Sequence, residues 1–153
     1  MATFTFRYQT LLDHRQRLED EAQRDLAKHL RTRSILHDQL RGEQDTIVRS
    51  KRELTGVLVG KVDLSAVAQF ARYHGSVAVR ARQIVARLAQ LEPQIAAARQ
   101  RLLDATRHRK ALELLRDRHL DQWRREQDRR EANELDDMTT QRYARRVMIG
   151  GAG

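Results

Sequence analysis

One stretch limits what this chain can become. Between Val67 and Leu112, fourteen positions recur at alternating steps of three and four residues: Val67, Phe70, His74, Val77, Ala81, Ile84, Leu88, Leu91, Ile95, Ala98, Leu102, Ala105, Arg109 and Leu112. Twelve of the fourteen are apolar, against roughly six expected by chance from a 40% apolar composition, and the steps match the period of a coiled-coil seam. A stripe this narrow, sustained over 46 residues or about 69 Å of helix, cannot close on itself and has to lie against another helix. The expected product is an all-α rod whose work is contact: an antiparallel two-helix coiled-coil hairpin with the second helix longer than the first.

Composition agrees. Of 153 residues, 33% are charged and only 5% aromatic, and the mean hydropathy is -0.75, so a wide, multilayered core is out of reach. Gly is rare and Pro occurs once, while Ala, Leu, Arg, Gln, Asp and Glu dominate, side chains that lose little rotamer freedom on a helix. With no cysteine, disulfides and thiolate metal sites are excluded, which fits a reducing compartment. The longest apolar runs, Val57-Leu58-Val59 and Ile95-Ala96-Ala97-Ala98, fall far short of a bilayer span, and the first residues hold no signal-peptide block. A soluble, cytoplasmic protein is expected.

The formal net charge is +9, which raises the question of a nucleic-acid partner. Residues 61–153 carry 19 basic against 12 acidic side chains, yet the signs alternate, as in Arg124-Arg125-Glu126-Gln127-Asp128-Arg129-Arg130-Glu131. That is the pattern of a solvated helix surface with pairs four residues apart, so no nucleic acid is expected, and a salt titration with duplex DNA tests the rival reading.

The chain reads as a single hairpin over 1–149, with a helix over 5–54, a turn over 55–63, a helix over 64–146 and a disordered tail over 150–153. The first seam is less regular, running through Tyr8, Leu11, Leu18, Ala22, Leu26, Leu30, Leu36, Leu40, Ile47 and Leu54 with Arg15, Arg33 and Lys51 interrupting it. Long basic stems can lie on a seam while their charge stays in water. Gly56 is suited to end the first helix in the left-handed conformation, and Asp63 or Ser65 to cap the next. Val57, Leu58 and Val59 either pack on one another at the tip or meet a partner. With the turn centred near residue 59, residue 5 should face residue 114, leaving an overhang that includes Leu115, Leu120, Trp123, Leu135 and Met138. Pro93 falls within the strictest part of the seam but points outward between Leu91 and Ile95, so a kink is expected there with the helix carried through.

No catalytic constellation emerges. His14, His29, His37, His74, His108 and His119 show no metal-binding spacing. Neither a phosphate-binding glycine loop nor a nucleophile elbow is present, and paired carboxylates such as Asp136-Asp137 lie on a bare helix with nothing to desolvate them. The expectation is no enzyme, no cofactor and no metal. His74 and Arg109 sit on the seam, where polar residues set register. Alternatively, Phe70, Tyr73, His74 and Val77 form an accessible surface beside the tip, since aromatics on a helix with few of them are plausible anchors. Trp123, in the overhang, is a second anchor.

These residues resemble a known family. Phe4-Thr5-Phe6-Arg7-Tyr8-Gln9-Thr10-Leu11-Leu12-Asp13, then Arg17-Leu18-Glu19-Asp20-Glu21-Ala22, the central Phe70, and Glu131-Ala132-Asn133-Glu134-Leu135-Asp136-Asp137 with Arg142 are similar in order and spacing to the flagellar export protein FliJ family. The resemblance implies a component of the flagellar type III protein export apparatus, built as a coiled coil similar to the γ stalk of rotary ATP synthases. It implies that the end bearing both termini enters the hexameric export ATPase, with Phe4, Phe6, Arg7, Leu11, Trp123, Leu135, Asp136 and Arg142 as contact residues. It further implies that a patch beginning at Phe70 meets the export gate protein FlhA. His74 and Val77 stand where the family pattern has an apolar residue and a small one. Export chaperones are a further class of partner, and membrane association, at the cytoplasmic face of the inner membrane, would be peripheral and through partners only. The alternatives are a generic coiled-coil adaptor or escort chaperone, and the related injectisome stalk.

Overall fold

The computed structural model describes residues 2–151 and contains two helices, α1 (Gln9–Val57) and the longer α2 (Leu64–Gly150). They run antiparallel, as a two-helix coiled-coil hairpin. All fourteen seam positions from Val67 to Leu112 are buried or half-buried, whereas only Ala78 and Thr106 of the residues between them are. The three-and-four spacing therefore marks the covered face residue by residue.

Two compact units form, Leu18–Ala105 on one hand and Met1–Arg17 with Thr106–Gly153 on the other. In the first, Leu36, Ile84, Leu91 and Ile95 make the core, with Leu26, Leu30, Leu40 and Leu88 packed against them. This core is one layer of side chains thick, because each helix contributes a stripe and not a wide face. Three ion pairs bridge the helices beside it: Arg80 with Glu43 at 3.1 Å, Arg33 with Glu92 at 3.6 Å and Arg101 with Asp25 at 3.6 Å. All three reach solvent, so they set register more than they stabilise.

Those pairs place the partners four to seven positions further along α2 than a turn centred on residue 59 predicts. Two causes add. The turn lies later, between Val57 and Leu64, and each arginine leans toward the N-terminus of its own helix, so it covers a partner one turn back from its Cα. Gly56 stays within α1; the positive φ of 127° falls on Gly60, where the absence of a Cβ lets the chain reverse. Asp63 caps α2, its Oδ1 accepting from Ser65 N–H at 2.9 Å and its carbonyl from Val67 N–H at 3.2 Å. Val57, Leu58 and Val59 do not close over one another: all three are exposed, Val59 to 84%.

Helix α2 runs through Pro93 unbroken. The proline is exposed while Leu91 and Ile95 on either side are buried, so the carbonyl of Ala89, which loses its N–H donor, faces water. At the far end the helix reaches Gly150, and Gly151 N–H closes on the Val147 carbonyl at 3.1 Å. The rest of the expected tail, Ala152 and Gly153, lies outside the described residues.

In the second unit the chain enters α1 at Gln9, four residues later than the apolar pattern suggests. Thr5 to Tyr8 stay out of the helix, and the Gln9 N–H turns back to the Phe6 carbonyl at 3.1 Å. The cause is a match of spacings. Residues two apart on an extended chain are separated by about 6.6 Å, close to the ~6 Å between residues four apart on a helix. Phe4 and Phe6 thereby set their rings beside Trp123 and His119, with centroids 6.0 and 5.7 Å apart. A helical start would have swung one ring off the seam.

Candidate functional site

The surfaces expected to meet partners separate into buried supports and exposed contacts. Beside the tip, Phe70 is half-buried with its ring 5.6 Å from His74, also half-buried. Tyr73 is 47% exposed, but Val77 is completely buried. Val77 is therefore a core residue of the Leu18–Ala105 unit and presents nothing to a partner, which corrects its placement among contact residues. The seam step that drew attention to it is what buries it. Phe70 and Tyr73 line an open cleft of about 300 Å³ with Leu54, Val57, Ala66 and Gln69. Val59 and Val62 in the turn and Leu64 at the first position of α2 are exposed as well, apolar side chains that the seam periodicity does not reveal because they lie outside it.

In the unit that carries the termini, Phe6 is 5% exposed, held between His119 and Tyr8, the latter 5.8 Å away. Like Val77, it is a packing residue and not an open contact. Phe4 and Trp123 are half-buried against each other. Arg7 is exposed and lies over the Tyr8 ring at 5.7 Å, a geometry suited to a cation–π contact. Leu11 is exposed, whereas its neighbour Leu12 is fully buried, so the seam passes through Leu12 and the expectation that Leu11 lies on it is corrected. His119 is a packing partner that its isolated position in sequence did not suggest.

Beyond residue 127 every described residue of α2 is exposed, Leu135, Asp136 and Arg142 among them, together with Met138, Tyr143, Val147, Met148 and Ile149. The hairpin seam lapses here. Continued at the same steps it falls on Arg130, Asn133, Asp137 and Thr140, which offer nothing apolar to cover.

On the seam itself, Arg109 donates from Nη1 to Glu113 at 2.7 Å. Among the described residues no buried side-chain polar atom lacks a partner, no group of three metal-ligating side chains comes together, and no helix is long and apolar enough to cross a membrane.

No curated protein and no solved structure matches the chain. A family model described as flagellar FliJ protein matches residues 4–147, nearly the whole length, and spans the Phe4 and Phe6 segment, both helices and the exposed end of α2. The chain belongs to the flagellar FliJ protein family and is thereby a component of flagellar type III export.

Proposed function

We propose that this protein is a non-catalytic coupling element of the export apparatus. The exposed end of α2 binds the hexameric export ATPase, and the cleft beside Phe70 and Tyr73 meets the gate protein FlhA. One observation supports this most: residues 128–147 lie within the family match but are covered by nothing in the chain. A long helical end that no packing requires is better accounted for by a partner than by folding. Its mixed charges suit a ring, since many weak, screened contacts are nearly equivalent against successive subunits, so the helix can turn or shift without locking. In this reading the protein is cytoplasmic and is held at the inner face of the membrane through its partners.

Removing residues 128–153 tests the proposal without touching the Phe4 to Trp123 packing. The truncated chain should keep its helical hairpin, lose retention by the immobilised ATPase ring and lose stimulation of ATP hydrolysis, while still binding the gate domain. Loss of the gate as well would favour a general adaptor that uses one surface for all partners. Undiminished ring binding would refute the proposal.

A further inference from the structure

The uncovered end of α2 has an order to its charges that the ring reading does not use. Between residues 131 and 137 stand Glu131, Glu134, Asp136 and Asp137 with no basic residue; between 142 and 146 stand Arg142, Arg145 and Arg146 with no acidic one. All are exposed, and among the described residues none of the seven makes an ion pair. Apart from Glu134, which Arg130 can reach from four residues back, the helix cannot pair them itself, because ion pairs along a helix need spacings of three or four and no acid and base of the two blocks stand that close.

We infer that this segment pairs antiparallel with the same segment of a second copy. Only an inverted copy brings each acidic block against a basic one; a parallel copy sets like against like. The register follows from the charges alone. Asp136 opposite Arg142 and Glu131 opposite Arg146 share, within half a residue, one two-fold axis at Thr139. That axis also sets Leu135 opposite Tyr143, the two exposed apolar side chains nearest it on this face, although neither was used to find it. Ala132, Leu135, Thr139, Arg142 and Arg146 lie at steps of three and four, so one stripe carries the contact. The interface is isologous, each pair occurring twice. It spans only about 25 Å of helix, too short to bury the ~1,200 Å² at the low end of a standard interface, so the dimer is weak and salt-sensitive. This inference does not depend on the ring reading.

The chain has no cysteine, so a single introduced thiol reports the pairing in the full-length protein. Thr139 and Thr140 are matched probes: both are exposed, and both hydroxyls donate to the carbonyl four residues back at 2.8 Å. At the axis, facing helices 8–10 Å apart bring Thr139→Cys within disulfide reach of its copy, whereas Thr140→Cys points away. Under mild oxidation Thr139→Cys should form covalent dimer about tenfold faster than Thr140→Cys. Adding Glu131→Arg should slow it about tenfold by setting like charges together twice per dimer, and Glu131→Arg with Arg146→Glu should restore the rate. Circular dichroism confirms that each variant keeps its helix. Equal rates at the two thiols, or a double reversal that fails to restore, would overturn the inference.

Discussion

Replacing Pro93 with Ala should stabilise the protein by about 2–3 kcal/mol. A proline inside a helix costs ~3 kcal/mol relative to alanine, from a lost hydrogen bond and a clash with the preceding turn. Nothing in the packing offsets that cost: the Pro93 ring is exposed, and the seam contacts are made by Leu91 and Ile95. Alanine would supply an N–H for the Ala89 carbonyl and remove the clash while leaving those contacts in place. The figure falls below the full value where water already hydrates the freed carbonyl. Urea unfolding followed by the helical circular dichroism signal measures it. With a slope of ~2 kcal/mol/M the midpoint should rise by about 1–1.5 M at unchanged slope. A lowered midpoint would refute the reasoning, because it would mean that the backbone shape Pro93 imposes is needed for Leu91 and Ile95 both to reach α1.

Leu12→Ala should cost about 2–4 kcal/mol and Leu11→Ala less than ~1, although the two are adjacent and alike; thermal unfolding of both variants checks the assignment of the seam. Ile95→Ala should cost about 2–3 kcal/mol, near the low end for such a change, because a one-layer core borders water on both sides and its neighbours can settle into the gap. Arg101→Ala, which removes the pair with Asp25, should change stability by less than ~0.5 kcal/mol, and a larger loss would show that the ion pairs hold the helices together. Phe4→Ala should shift Trp123 fluorescence toward the emission of exposed indole, since the Phe4 ring is its aromatic neighbour; an unchanged spectrum would contradict the packing of the N-terminal segment.

The second seam was legible because alternating steps of three and four admit one arrangement of a helix against another, and every position it marked is covered. The first was legible in outline only. Stepping back along it from Arg15, both Leu11 and Leu12 are apolar and both fit, so the pattern could not choose. What decides is the N-terminal segment, whose Phe4 and Phe6 alternate in a period that helix-based reading passes over. The site was harder. Val77 enters the candidate contacts by lying near Phe70, and Phe6 by the family resemblance, yet both are apolar in a charged chain, and that property drives them into the chain's own packing. Sequence separates exposed from packed apolar side chains only where the seam has ended, as it has for Leu135 and Tyr143, or where the residue lies in a turn, as Val59 does.

Why the end of α2 stays helical with nothing beside it follows from how helices begin. An isolated helix must first order a turn with little return, a nucleation step unfavourable by a factor of about 10³. Residues 128–150 never face that step, for they extend a helix already fixed by the seam up to Trp123, and each further residue needs only a propagation constant near or above one. Five arginines with Glu131, Ala132, Glu134, Leu135, Met138, Gln141, Ala144 and Met148 supply this, against three aspartates and two threonines. The polar residues that replace the apolar seam, Arg130, Asn133, Asp137 and Thr140, are hydrated in place of being covered. The loss of the seam near residue 127 thus changes one continuous helix from a packed element into an exposed one, with no break in the backbone between the two.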